Sequence, residues 1–178
     1  MRKLVLFIAT SLDGYIARPD GGIDWLFTDQ GYGYPEFFAG VDTVLMGRRT
    51  YEQLLALGGG YPYPGTRGYV FSRRRGGERN AHVAFIADDV ATFVQRLKEE
   101  PGKTIWLVGG AEIARACLLH DLVDESVISV HPLVLGAGIP LFLPPLPTLR
   151  LTLARCQVYD SGLVQLTYRR ERIFDLSP

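Results

Sequence analysis

Apolar residues come in short runs separated by polar, glycine-rich stretches, and the spacing inside each run predicts its element. Lys3 to Ala9 reads as a buried strand, and so do Thr43 to Met46, Gly68 to Phe71, Val83 to Ile86 and Thr104 to Val108. Arg49 to Leu57 predicts a helix stopped by Gly58, Gly59 and Gly60. Val90, Phe93, Val94 and Leu97 recur at helical spacing within a helix predicted over Ala87 to Glu99, which Pro101 and Gly102 end. Ala111 to Leu119 predicts another helix, and Pro35 to Ala39 a short one with proline in its first turn. Ser11 to Thr28 is a long loop rich in turn formers, a class of segment more often functional than a mere spacer. Towards the C-terminus come a strand at Glu125 to Val130 and a glycine-containing turn at Val134 to Gly138. Leu151 to Tyr159 and Leu163 to Arg169 then alternate as a hairpin across Asp160, Ser161 and Gly162. Strands alternating with helices, then strands alone, predict an α/β fold. Its sheet is parallel in the middle, antiparallel in its C-terminal strands and flanked by helices. The 178 residues suit one domain, 1–178, with a sizeable core.

Composition narrows the function classes. Hydrophobic residues make up 47% and charged residues 21%, an ordinary globular balance. Nineteen basic residues against nineteen acidic ones argue against a dedicated nucleic-acid binder. Arg2 and Lys3 before Leu4 to Ala9 mimic a signal peptide, but six apolar residues followed by Asp13 read as a first strand. No run is long enough for a bilayer span, so the expected location is the cytoplasm, with no membrane partner. Cys117 and Cys156 form no CxxC pair and have no histidine at zinc-ligand spacing. They are expected to be buried free thiols, and no metal site is predicted. His82, His120 and His131 are scattered and read as structural or surface residues.

The chemistry lies at two junctions. Val44-Leu45-Met46-Gly47-Arg48-Arg49-Thr50 and Ile105-Trp106-Leu107-Val108-Gly109-Gly110-Ala111-Glu112 each run from strand through glycine into helix. A helix that starts at the end of a buried strand offers free N–H groups and a positive dipole end to an anion. Two such junctions suggest a ligand with several phosphates, such as a dinucleotide. Arginines after Gly47 and at Arg73 to Arg75 add donors suited to phosphate.

Four motifs in sequence order then carry a resemblance. Ser11-Leu12-Asp13-Gly14-Tyr15-Ile16-Ala17 resembles the opening loop of the reductase domain of the bifunctional riboflavin-biosynthesis deaminase-reductase. Met46-Gly47-Arg48-Arg49-Thr50-Tyr51-Glu52 resembles the glycine-arginine-x-threonine junction of dihydrofolate reductase. Val108-Gly109-Gly110-Ala111-Glu112 resembles the glycine pair of both. Leu133 to Phe142 resembles the late loop of the riboflavin branch. The resemblance implies a dihydrofolate-reductase-like fold, closest to stand-alone relatives of the riboflavin-type reductase domain, that binds NADPH. It implies that Gly47, Arg48, Arg49 and Thr50 hold phosphates and that Ser72, Arg73 and Arg74 meet the adenosine 2′-phosphate. Gly109, Gly110, Ala111 and Glu112 would line the pyrophosphate and nicotinamide ribose, with a cis peptide at the glycine pair. Thr10, Ser11, Asp13 and Trp25 would form the substrate side and its covering loop.

The chain also departs from both branches. Dihydrofolate reductases place a carboxylate five residues after the loop tryptophan, where this chain has Gln30; Asp29 and Glu36 are the candidate catalytic or substrate-binding acids. A carboxylate accepts two parallel hydrogen bonds from an amidine-like edge, which one glutamine oxygen does not match. The riboflavin branch has an arginine seven residues after that tryptophan, where this chain has Tyr32. The resemblance therefore implies an NADPH-dependent reductase of a small heterocycle, nearest to 5-amino-6-(5-phosphoribosylamino)uracil reductase. Dihydrofolate reductase is the rival enzyme, and a non-catalytic NADP-binding protein is the alternative of another class. A homodimer is implied by the same branch, and the exposed antiparallel edge after Leu151 would favour pairing.

Overall fold

The computed structural model describes residues 1–171, so the single domain expected over 1–178 runs on past the described residues. The strands are β1 (Leu4–Ser11), β2 (Tyr15–Ala17), β3 (Val41–Gly47), β4 (Arg67–Phe71), β5 (Val83–Ile86), β6 (Thr104–Gly109), β7 (Glu125–His131), β8 (Ile139–Pro140), β9 (Leu151–Val158) and β10 (Val164–Arg170). The helices are α1 (Tyr34–Ala39), α2 (Arg48–Ala56), α3 (Val90–Glu99) and α4 (Ala111–Leu119). Eight strands form one sheet in the order β5-β4-β3-β6-β1-β7-β10-β9. The first six in that order are parallel, and β10 and β9 are antiparallel, as the strand–helix alternation predicts.

Side chains alternate across the sheet and build a core on each face. Leu4, Leu6, Leu45, Ile105 and Leu107 pack under Phe93, Val94 and Leu97 of α3 and Ala114, Cys117 and Leu118 of α4. Val44, Met46, Val70 and Trp106 point the other way, towards Tyr51 of α2, Phe37 and Phe38 of α1, and Tyr63. A fully buried side chain of this size contributes about 1.5–3 kcal/mol, which is why the central strands tolerate so little polarity.

The amino ends of the strands are held by buried charge. The Arg2 guanidinium pairs with Asp42 and donates to the Thr43 hydroxyl and, through Nε, to the Lys103 carbonyl at 2.7 Å. Lys98 pairs with Asp124 and donates to the Leu122 carbonyl, and Asp124 accepts the Leu4 N–H at 2.8 Å.

Most boundaries shift by a residue or two, and three differences have a plain physical cause. Helix α3 starts at Val90, not Ala87, because the Asp89 side chain accepts the Thr92 N–H at 2.9 Å and caps it there. Strand β1 runs on to Ser11 because Thr10 and Ser11 pair with Val130 and His131 of β7. The opening loop contains β2, which pairs with β8 in a separate two-stranded ribbon. A Cβ at Gly138 would collide with the Ala17 carbonyl there. One of the two thiols also differs from expectation. Cys117 is buried, which pushes its pKa up to about 12, but Cys156 is exposed because β9 is an edge strand open on both faces. Among the described residues, no helix is long and apolar enough to cross a membrane.

Candidate functional site

Strands β3 and β6 are neighbours, with Met46 opposite Gly109, so the two glycine junctions open side by side at the carboxyl ends of the parallel strands. That edge is where open α/β sheets bind ligands. Gly47 caps α2 and Gly110 caps α4. Glycine has no side chain with which to occupy its helix's first N–H groups, so both helix starts offer theirs outward. The Gly109–Gly110 peptide is cis, and Gly109 has φ +134°, a backbone region that side chains rarely adopt. A Cβ on Gly110 would lie 3.2 Å from the Thr50 hydroxyl, so bare backbone is what lets α2 and the glycine pair approach.

The expected cofactor residues gather along this edge. Thr50 is half-buried against Gly110, and Arg49 is exposed beside it. Arg48 is partly engaged, its guanidinium 2.8 Å from Glu52 one turn on. Ala111 is buried, and Glu112 is exposed in the first turn of α4. Ser72 is buried just past β4, with its N–H on the Ile86 carbonyl. Arg73 and Arg74 follow it, both exposed, with no ion-pair or hydrogen-bond partner among the described residues. Arg75 is already engaged: it pairs with Glu78 at 2.7 Å and lies 3.8 Å over the Phe85 ring.

The residues expected on the substrate side play more structural parts. Asp13 accepts the Ser11 hydroxyl at 2.6 Å and the N–H groups of Leu135 and Gly136 at 3.1 and 2.8 Å. The Ser11 hydrogen bond and these backbone donors hold its carboxyl below the ordinary value. The opening and late motifs are therefore one clamp, although they lie far apart in the sequence. Thr10 is buried at the end of β1. Asp29 is exposed and accepts the Tyr32 hydroxyl at 2.7 Å. Glu36 is exposed in the first turn of α1. Phe7, Ile8 and Ala9 are only half-buried although β1 is central in the sheet, which leaves a shallow wall at its carboxyl end. Phe7 stacks on Phe37 of α1 at 4.4 Å, and its carbonyl accepts the Trp106 indole N–H at 3.0 Å.

The loop carrying Trp25 crosses this edge and is tied down at several points. Gln53 of α2 donates to the Gly21 carbonyl, and Arg18 forms a two-pronged ion pair with Asp24. Further on, the Phe27 N–H donates to His131 Nε2 at 3.2 Å, and the Tyr32 carbonyl accepts from Gln165 at 2.9 Å. Trp25 is buried, packed edge-on against the His131 ring at 5.2 Å. Its indole N–H has no partner among the described residues.

His131, Tyr32 and Gln165 are parts that sequence reasoning missed. His131 is separated from Phe27 by 104 residues, so no local signal marks the pair. Among the described residues, no three His, Cys, Asp or Glu side chains converge as a metal site requires.

Comparison with known proteins converges on one family. The RibD C-terminal domain pattern matches residues 69–165. The uncharacterized protein YwjB of Bacillus subtilis (strain 168) is 46% identical over 144 residues, 79% of this chain and 83% of that protein. A crystal structure from Shewanella sp. PV-4, named for riboflavin biosynthesis, superposes with TM-score 0.85 at 29% identity. It covers 96% of this chain and 99% of that one. The diaminohydroxyphosphoribosylaminopyrimidine deaminase/5-amino-6-(5-phosphoribosylamino)uracil reductase of Thermotoga maritima shares the fold. Its TM-score is 0.74 at 18% identity, over 96% of this chain and 57% of that longer one.

Proposed function

The chain belongs to the RibD C-terminal domain family, and on that premise we propose that it is an NADPH-dependent reductase of a small heterocycle. Its nearest reaction class is that of 5-amino-6-(5-phosphoribosylamino)uracil reductase. The observation that carries the reading is the pair of glycine-capped helix starts beside unpaired arginines at one sheet edge. Backbone N–H groups at Gly47 and Gly110 suit a pyrophosphate, and Arg73 and Arg74 suit a terminal phosphate monoester. The residues present thus fit an anionic dinucleotide.

When bound, NADPH would supply hydride. The protein's own part is to orient and to exclude water. Gly109 and Gly110 let a ligand approach the backbone closely, and Thr50 would donate from the start of α2. The half-buried wall of Phe7 and Ala9 gives a flat ring a place to lie, and the Trp25 loop would close over it.

The dihydrofolate reductase reading has less support. Gln30 replaces the usual acid, and Asp29 already accepts a hydrogen bond from Tyr32. A calorimetric titration with NADPH and NADH, followed by NADPH oxidation with the aminouracil and with dihydrofolate, tests the whole reading. NADPH-selective binding with turnover of the aminouracil is the expected result. Dihydrofolate turnover alone would move the assignment to the rival enzyme. Binding without any turnover would make this a non-catalytic NADP-binding protein, and no binding would end the reductase reading.

We also propose a homodimer. Strand β9 leaves an edge unpaired among the described residues, and Leu151, Leu153 and Val158 are exposed on it. A monomer in sedimentation equilibrium at micromolar concentration would refute the pairing.

A further inference from the structure

We infer that His131 is a positioning residue: its neutral imidazole latches the Trp25 loop over the site, and protonation releases it. The inference rests on the reductase reading only for what the loop covers; the latch itself is a matter of geometry.

His131 is the last residue of β7 and is 3% exposed. Its Nε2 lies 3.2 Å from the Phe27 backbone nitrogen, and that N–H can only donate. Nε2 must therefore be the bare acceptor nitrogen, and the ring proton sits on Nδ1. Nδ1 lies 3.2 Å from the Ser129 carbonyl, which can only accept. Both ring nitrogens are thus matched in one tautomer of the neutral ring. Trp25 stands edge-on to that ring at 5.2 Å and Phe27 at 4.9 Å, so the loop's two large aromatics pack on the group that holds its backbone.

Protonation would place an N–H on Nε2 facing the Phe27 N–H. The acceptor would vanish, and a ring that is 3% exposed would have to carry a charge. The titratable groups on neighbouring elements do not offset this. Asp13, beyond β1, is taken by Ser11, Leu135 and Gly136; Asp29 and Tyr32, on the loop, bond to each other. Burial holds the His131 pKa below its ordinary value of 6.5, against the opposing pull of the Ser129 and Thr10 backbone carbonyls. The latch is at full strength above that ordinary value and is lost as pH falls through the lower value of the closed state. Between the two values, the open-to-closed ratio rises roughly tenfold per pH unit.

Acrylamide quenching of tryptophan fluorescence, followed from about pH 8 to about pH 5, reads this directly in the full chain. Trp106 gives a steady background, because it is buried and its indole bonds to the Phe7 carbonyl. In the wild type, quenching should rise on acidification. His131→Gln keeps an acceptor and cannot titrate, so it should stay protected at every pH. His131→Leu should be quenched across the range, and if it fails to fold, the wild-type and glutamine curves decide alone. A flat wild-type curve, or a glutamine curve that rises with it, would overturn the latch. In parallel, kcat/KM for NADPH oxidation should fall with pH in the wild type but not in His131→Gln. Absence of any oxidation at high pH would end the reductase reading and leave the quenching contrast to judge the latch.

Discussion

Replacing Arg73 with alanine is the sharpest test of the proposed NADPH site. Three arginines stand in a row after β4, but the structure separates them by what they already do. Arg75 is held by Glu78 and sits over the Phe85 ring, whereas Arg73 and Arg74 are exposed and without partners among the described residues. A guanidinium with all its donors free has nothing to give up when it meets a phosphate except its hydration. A charge-assisted hydrogen bond of this kind is worth about 1.5–3 kcal/mol, or roughly ten- to a hundredfold in affinity. Only NADPH carries the 2′-phosphate, so Arg73→Ala should weaken NADPH by that factor and leave NADH nearly unchanged. The difference should shrink as salt is added, because the contact is exposed and screened. Arg75→Ala serves as the control and should alter neither affinity. Isothermal titration with both cofactors, at low and high salt, measures all of this. An equal loss for the two cofactors, or no loss for NADPH, would show that Arg73 does not meet that phosphate.

Three further outcomes follow from the fold. Lys98→Met takes the ammonium away from the half-buried Asp124 and should cost about 1–3 kcal/mol in urea unfolding; a loss near zero would mean that the pair carries no net stability. Asp13 has a lowered pKa, so its clamp is complete above the ordinary value of 3.8 and is lost as pH falls through its own lower value. The protection of the Leu135 and Gly136 amides, taken relative to their intrinsic exchange rates, should therefore fall only in strong acid, and a loss of protection near neutral pH would contradict the clamp. In the native protein, Cys156 should react readily with a thiol reagent, while Cys117 waits for unfolding. Slower labelling of Cys156 at higher protein concentration would in turn mark β9 as the surface that pairs.

What could be read from the sequence was local. Both glycine junctions, helix α4 and strand β5 depend on neighbours in the chain, and their periodicity gives them away. What could not be read depends on distant partners. The β2–β8 ribbon is short and joins residues more than a hundred positions apart, so no pattern within either piece announces it. His131 looked like a scattered histidine because its meaning comes from Phe27 and Trp25, across the same kind of gap. Asp13 is expected on the substrate side from its motif alone, whereas its carboxylate is taken up by the late loop, far along the chain. Cys156 was misread as buried for a related reason: alternation shows that β9 pairs, but not that nothing among the described residues covers its outer edge.

The fixed charges sit at the opposite end of the strands from the glycine junctions. Arg2, Asp42, Lys98 and Asp124 bind the amino ends together, while the carboxyl ends carry bare backbone donors and unpaired arginines. The molecule therefore divides into a keel and a deck. A change on the deck, such as a new residue at the exposed Gln30, leaves the charge pairs of the keel untouched. On the proposed function, the ligand-facing edge can therefore change one residue at a time while the charged foundation that holds the strands together stays in place.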